Sequence, residues 1–244
     1  IHRKREQKRE RLMEATRKSE IIPARQIIHD TAQSIGDTMK AVGEAYQVSI
    51  HGLSREDRTQ LRKAKAAMDK VKTENEEFRF AFYGSMKRVE EELAEGSRTY
   101  LLAYDLMQDF IQSAGLVADS AREHVEDVLA PLEKGQQEQL EHISVRLIEF
   151  FDKCIHVLQT RDFEPMKDIK QSKKSLLEEI EQLLALQTKG IKEDQFSPRN
   201  SILFFSILLE TKDLVAVAAR FVKMYYRLEH EYSPEEPWVL VSGK

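Results

Sequence analysis

The stretch of sequence that decides the fold is Ser201-Ile-Leu-Phe-Phe-Ser-Ile-Leu-Leu209, in which every residue except the two serines is apolar. It ends at Glu210, well short of the ~20 apolar residues that a helix needs to cross a bilayer. A helix that is apolar on most of its sides is typical of the centre of a helical protein. The preceding pair Ser197-Pro198 indicates where this helix begins, since serine caps helices and proline is tolerated in their first turn.

A second stretch of the same character extends from Tyr100 to Val117. Its apolar residues also cover almost every side of a helix, so we predict a second central helix. Gly96-Ser97 indicates a turn before this helix, because glycine and serine favour turns. The two stretches are the predicted third and sixth helices of the chain.

Four further segments have apolar residues at steps of three and four, which predicts amphipathic helices with one buried face. They are residues 23–50, a segment from the capping signal Ser54-x-x-Asp57 to about residue 94, a segment after Gly135, and a segment from about residue 163,. The order amphipathic, amphipathic, central therefore occurs twice. This duplication predicts two three-helix repeats joined near Pro131.

We therefore predict an all-α fold of two antiparallel three-helix bundles, with six long helices and a basic helical N-terminal extension. The expected divisions are a basic extension at 1–20, a first repeat at 21–131, a second repeat at 132–232 and a C-terminal tail at 233–244. Alignment of Arg98 with Arg199 places Leu102 on Leu203. On this alignment Asp109 also falls on Glu210, and Gln112 falls on Asp213.

The composition supports long helices and excludes some functions. Charged residues make up 33% of the 244 residues, while glycine occurs 9 times and proline 6 times, and a sheet protein would need more turn residues. The formal net charge of -4 gives no reason to expect a nucleic-acid partner. A single cysteine, Cys154, cannot form an internal disulfide, and we expect it to be a small buried hydrophobic residue.

Acids occur within the two most apolar helices. They are Asp105 and Asp109 in the third helix, and Glu210 and Asp213 in the sixth. Removing a carboxylate from water costs several kcal/mol, so these acids must face solvent, pair with a cation such as Lys212, or bind a metal. Because paired carboxylates bind divalent or ferric ions, all four are candidate metal ligands. No other cofactor is expected.

Motifs of common enzyme classes are absent from the sequence. There is no glycine-rich phosphate loop, no G-x-S-x-G elbow and no H-E-x-x-H motif,. No histidine follows a glutamate by three positions, as ferritin-like di-metal oxidases require. We therefore expect no catalytic residues and no enzymatic activity. The seven histidines, at positions 2, 29, 51, 124, 142, 156 and 230, are expected at surface or capping positions, and His29, Asp30 and Asp37 are candidates for the neighbourhood of a metal site.

Basic residues cluster at the start of the chain. They are Arg3, Lys4, Arg5, Lys8, Arg9 and Arg11, and the chain begins at Ile1 rather than at a methionine. We expect a segment of a longer protein, in which the basic run flanks a transmembrane helix on its cytoplasmic side, where positive charge is retained. A solvated helical tail with Glu–Lys pairs one turn apart is the other interpretation that these residues allow.

Six helices in two repeats, with acids on the third helix of each, resemble the PhoU family. The run from Ser197 to Ala216 resembles the final helix of the PhoU-like C-terminal domain of some bacterial PiT-type inorganic phosphate transporters. Gln108-Asp-Phe-Ile-Gln-Ser113 and Glu123-His-Val125 resemble its third helix. The resemblance covers roughly residues 20–230 and rests mainly on the run in the sixth helix, which is far less generic than a heptad pattern.

The resemblance implies a regulatory or sensing domain on the cytoplasmic side of the inner membrane, soluble in itself and without catalysis. Its implied partner is the transmembrane part of the same polypeptide. A homodimer and contact of the N-terminus with an anionic membrane surface are further expectations. PhoU proteins bind metal clusters through E/D-x-x-x-D motifs. Asp105-x-x-x-Asp109 fits this spacing, whereas Glu210-x-x-Asp213 is one residue short and Gln112 replaces an acid at the equivalent place in the first repeat.

Two functions from other classes also fit a helical bundle. The first is a free-standing scaffold or membrane-surface bundle, although a curvature-binding bundle would spread its basic residues along one face instead of concentrating them at one end. The second is a carboxylate-bridged metalloenzyme. Metal analysis of the purified protein and the sequence upstream of Ile1 distinguish these from a transporter domain.

Overall fold

The computed structural model describes residues 24–86, 94–193 and 196–231, and within these ranges it contains six α-helices and no strand. The helices are α1 (Ala24–Ser54), α2 (Arg58–Met86), α3 (Ala94–Glu126), α4 (Lys134–Thr160), α5 (Met166–Lys192) and α6 (Pro198–Glu231). The predicted all-α bundle is confirmed. The extension predicted at 1–20 and the tail predicted at 233–244 lie outside the described residues.

Four of the helices form a common core and the other two lie on its flanks. α1 packs against α3 and α4, and α6 packs against the same two helices. α2 covers α1 and α3 on one side, while α5 covers α4 and α6 on the other. The first and third helices of each predicted repeat therefore also pack against helices of the other half. This arrangement buries more apolar surface than a lone three-helix unit of half the size.

Aromatic rings fill the centre of this core. The ring centroid of Phe110 on α3 lies 5.4 Å from that of Phe151 on α4 and 6.0 Å from that of Phe221 on α6. All three side chains are buried. Ring pairs at such distances contribute about 0.5–1.5 kcal/mol beyond their burial. α3, which belongs to the first half, is thus packed against two helices of the second half, as expected for a central helix.

One buried hydrogen bond crosses the core between α1 and α6. The Tyr46 hydroxyl lies 2.6 Å from Thr211 Oγ1, and Thr211 in turn donates to the carbonyl oxygen of Ile207. Because the Thr211 proton is engaged by that carbonyl, Tyr46 is the donor to Thr211. Burial raises the pKa of the Tyr46 phenol far above its ordinary value, and the hydrogen bond with Thr211 opposes this only in part. Tyr46 therefore remains a neutral donor inside the core.

Glycine allows α1 and α4 to approach closely. A Cβ atom added at Gly43 would lie 3.0 Å from Ile148 Cδ1 and 3.2 Å from Phe151 Cδ2. Further toward the start of α1, the side-chain amide of Gln33 donates to the backbone oxygen of Gln159 at 2.9 Å. Gly43 thus has a packing role, since a larger residue would push the helices apart.

Local signals placed some helix ends correctly and others not. Ser197 caps α6 as predicted, since its Oγ accepts a hydrogen bond from the backbone N–H of Asn200 at 3.1 Å. α2 is capped by Asp57, whereas Ser54 belongs to the end of α1. The predicted role of Ser54 in starting α2 was therefore wrong. Hydrogen bonds from the backbone of Gln60, and more weakly from its side chain and the backbone of Thr59, lower the pKa of Asp57.

The turn predicted at Gly96-Ser97 was also wrong, because α3 begins at Ala94 and both residues lie in its first turn. The second helix was predicted to end near residue 94. The described part of α2 reaches Met86, and residues 87–93 lie outside the described residues. In the described parts of the six helices, none combines the length and the apolarity that crossing a bilayer requires.

Candidate functional site

α3 presents one exposed stripe that contains two of the candidate metal ligands. Because α1, α2 and α6 surround the helix, only Leu102, Asp105, Asp109, Gln112 and Leu116 are exposed along its middle. These residues recur at steps of three and four, so they share one face. Asp105 and Asp109 are one turn apart on it. Both carboxylates are in contact with water, so their charge remains hydrated and does not need a bound metal to neutralise it.

The two acids of α6 differ in their exposure. Asp213 is exposed, whereas Glu210 is half-buried. Lys212 forms its ion pair with Glu181 of α5 and not with either acid. Of the three alternatives that the sequence left open for these acids, pairing with Lys212 is therefore not the one seen among the described residues. The reason is that Lys212 projects from the side of α6 that contacts α5.

α3 and α6 run antiparallel to each other. Phe110, near the middle of α3, lies beside Phe221 in the second half of α6. After the end of α3, the carbonyl oxygen of Pro131 accepts a hydrogen bond of 2.8 Å from the side-chain amide of Asn200 at the start of α6. Positions further along α3 therefore face positions nearer the start of α6.

This packing separates the two pairs of acids. Asp109 precedes Phe110 and is level with the part of α6 around Val222, about nine residues, or ~13 Å along the axis, from Asp213. Among the residues that the structure describes, no three or more His, Cys, Asp or Glu side chains lie together so that they could hold a metal ion. The candidate ligands thus form two separate pairs, and each pair would need further ligands from another source.

The alignment of the two repeats on Arg98 and Arg199 does not agree with burial. Leu102 is 51% exposed, whereas Leu203, its predicted counterpart, is 7% exposed. Asp109 is likewise exposed and Glu210 half-buried. Helix-period patterns match at several offsets. The coincidence of apolar residues therefore did not establish which positions are equivalent.

Most described histidines lie at the surface, as expected. His51, His142 and His156 are each exposed or half-buried, and each has a carboxylate oxygen within 3.6 Å. His124 differs: it is 5% exposed, and its Nε2 lies 3.0 Å from the carbonyl oxygen of Ala130. His124 therefore has a capping position and not a surface one, because it lies in the last turn of α3 and ties this helix end to the following loop.

The candidates on α1 lie away from the acids of α3. The Asp37 carboxylate accepts a hydrogen bond of 3.4 Å from the side-chain amide of Gln159, at the contact between α1 and α4. His29 is half-buried near the start of α1. His2 lies outside the described residues. The structure therefore does not bring Asp37 to the exposed stripe of α3.

Cys154 is a buried small residue, as predicted. Its side chain is inaccessible in the core of α4. Burial raises the pKa of the thiol to about 12, and the charge of Lys153 opposes this only weakly. A thiol with such a pKa is almost fully protonated near neutral pH and is a poor nucleophile. Cys154 therefore has a packing role.

The exposed stripe of α3 offers two carboxylates one turn apart between two exposed leucines, Leu102 and Leu116. Carboxylates in this arrangement can attract cations, and leucines beside them can contact a partner protein. We take Asp105 and Asp109 as the candidate binding site of the chain. No protein-family model matches the chain, and no curated protein sequence is significantly similar to it.

Proposed function

We propose that this chain is a non-catalytic, PhoU-like regulatory domain of an inorganic phosphate transporter of the PiT type. In this proposal it lies on the cytoplasmic side of the membrane and acts by packing against the transmembrane part of the same polypeptide. The observation that carries the proposal is the helix arrangement: two successive sets of three, with the first and third helix of each set in a common core.

Two further observations support the same proposal. The run from Ser197 to Ala216, on which the resemblance mainly rests, forms the capped start and the buried middle of α6. The acids of α3 lie on the surface, where a metal signal can reach them. A close-packed core that links both halves also suits regulation, because such cores change between discrete packings instead of deforming smoothly.

The proposal is tested by phosphate uptake. Cells that lack their own phosphate transporters would express the full-length gene product, either intact or without residues 24–231, and uptake of labelled phosphate would be measured over a range of external concentrations. We expect uptake by the intact protein and a changed concentration dependence without the domain. An intact protein that takes up no phosphate, or uptake that is the same with and without the domain, contradicts the proposal.

The role of the α3 acids is tested separately by metal titration of the chain. The double variant Asp105→Asn/Asp109→Asn is compared with Glu76→Gln/Asp152→Asn, which removes two exposed acids elsewhere and changes the net charge equally. We expect Mn²⁺ to bind the wild type and the second variant but not the first. Equal binding by all three chains would exclude the α3 acids as metal ligands, while the transport proposal would still depend on uptake.

A further inference from the structure

Two side-chain contacts fix how α5 and α6 lie against each other. Lys212 of α6 forms an ion pair with Glu181 of α5. Nearer the start of α6, Ser201 Oγ accepts a buried hydrogen bond of 3.0 Å from the side-chain amide of Gln187, nearer the end of α5. The two helices are therefore antiparallel. Positions after Lys212 on α6 are level with positions before Glu181 on α5.

Beyond this ion pair, each of the two helices carries a lysine toward the same end of the bundle. Lys223 follows Lys212 by eleven residues, and Lys170 precedes Glu181 by the same number. Because eleven residues make close to three turns of helix, Lys223 and Lys170 lie on the same faces as the members of the ion pair. The ion pair between opposite charges is therefore not repeated eleven residues further along, because both of these positions carry a positive charge.

Two more basic residues of each helix lie at the same end of the helix pair. They are Lys167 and Lys174 on α5 and Arg220 and Arg227 on α6. All are exposed, and among the described residues only Lys174 has an ion-pair partner, Glu178 of its own helix. We name this set the basic ladder; its members are Lys167, Lys170, Lys174, Arg220, Lys223 and Arg227.

The basic ladder does not favour stability. Like charges that face each other across a helix pair repel, whereas opposite charges there attract. Lys167 also lies in the first turn of α5, where the partial positive charge of the helix end disfavours a cation. Asp168 is the acid nearest to Lys167 and Lys170 in sequence, but it lies about 200° around the helix from Lys170. An exposed surface with such an arrangement suits a negatively charged partner.

The basic ladder lies at one particular end of the bundle. Phe163, just before α5, contacts Tyr226 near the end of α6, with ring centroids 5.3 Å apart. The start of α1 reaches the same end, because Gln33 bonds to Gln159 near the end of α4. In sequence, the basic run at 3–11 precedes α1. Tyr226 is 38% exposed beside the ladder, and tyrosine is enriched at the membrane–water interface.

We propose that the basic ladder binds the anionic surface of a phospholipid membrane. Lysine and arginine side chains near such a surface are attracted by its negative potential, and their contributions accumulate with number. From residue 167 to 174 the ladder extends only ~10 Å along α5, at one end of the bundle, which suits a flat surface at that end better than a long nucleic acid. The inference does not depend on phosphate transport.

The proposal is tested by sedimentation of the whole chain with lipid vesicles. The vesicles contain phosphatidylcholine alone or phosphatidylcholine with phosphatidylglycerol, and duplex DNA is titrated in parallel. The ladder variant is Lys167→Gln/Lys170→Gln/Lys223→Gln. The matched control is Lys40→Gln/Lys72→Gln/Lys192→Gln, which neutralises three exposed lysines that have no ion pair in the described structure.

We expect the wild type and the control to bind the anionic vesicles, with binding that weakens as salt is added. The ladder variant should bind about tenfold or more weakly, since each basic residue near the surface contributes severalfold. Because all variants keep residues 1–23, binding by the basic run cannot produce this difference. Equal binding by ladder variant and control, equal binding to neutral vesicles, or selective binding of DNA would each overturn the proposal.

Discussion

The interface between α2 and α3 and the interface between α5 and α6 occupy corresponding places in the two halves, yet their charges are arranged differently. Across the first, Lys65 Nζ of α2 lies 3.1 Å from Asp119 of α3, and it also lies 2.9 Å from Asp69 of its own helix. Arg62 Nε lies 3.0 Å from Glu126 Oε1. Opposite charges therefore follow each other along this interface and favour one alignment of the two helices.

Between the described residues of α5 and α6, one ion pair crosses the second interface, from Glu181 to Lys212, and the basic ladder follows it. α5 is held by apolar side chains such as Leu176 and Ile180, which are buried, and by an ion pair of 3.0 Å between Glu179 and Arg146 of α4. The comparison teaches that α5 is paired by charge to α4, whereas its contact with α6 has little charge pairing. The basic residues at the start of α5 and in the second half of α6 are then available to a partner.

The largest loss of stability is expected in the common core, to which both halves of the molecule contribute. Phe110 and Phe221 are both buried and in contact, so Phe110→Ala and Phe221→Ala should each lower the free energy of unfolding by about 3–5 kcal/mol. Guanidinium unfolding followed by circular dichroism measures this. If one variant lost little stability, the common core would not join the halves as described.

A smaller loss is expected from reversing a charge between α2 and α3. Lys65→Glu removes two ion pairs and places a third acid beside Asp69 and Asp119, which should lower the free energy of unfolding by roughly 1–2 kcal/mol. Lys65→Met is the control, because it removes the pairs without adding repulsion and should lose roughly half as much. Unchanged stability of Lys65→Glu would show that the charge pairing at this interface is incidental.

The pH dependence of stability should also reflect the first interface. The hydrogen bond from Arg62, together with the charge of Arg122, lowers the pKa of the Glu126 carboxyl. A lowered folded-state pKa gives stability that is present above the ordinary glutamate value of about 4.3 and is lost as pH falls through the folded-state value. We expect Glu126→Gln to lose less stability than the wild type on acidification. Equal losses, measured as unfolding midpoints across this pH range, would contradict the assignment.

Features set by local chemistry could be predicted from the sequence. The start of α6 at Ser197-Pro198 needs only a cap and a tolerant first turn, and the structure has both. The buried stripe of α1, with Met39 and Val42 in it, follows from helical periodicity and is buried as expected,. The all-α fold follows from the same signals repeated along the chain.

Features set by tertiary packing could not be predicted in this way. The side chains of Ser54 and Asp57 can both cap a helix. The turn between α1 and α2 decides that Asp57 is the residue that caps α2. Periodicity also cannot tell which levels of two helices meet. The separation of Asp109 from Asp213, and the gathering of the basic residues of α5 and α6 at one end, depend on the antiparallel packing.

The most direct test concerns the like charges of α5 and α6, which we propose bind a partner and do not stabilise the fold. Lys170→Glu would lie among the other residues of the basic ladder and one turn before Lys174, near the start of α5, where acids are favoured. We expect its free energy of unfolding at low salt to rise by about 0.5 kcal/mol, while Lys192→Glu at the other end of α5 should show no rise. A fall in the stability of Lys170→Glu would contradict the account.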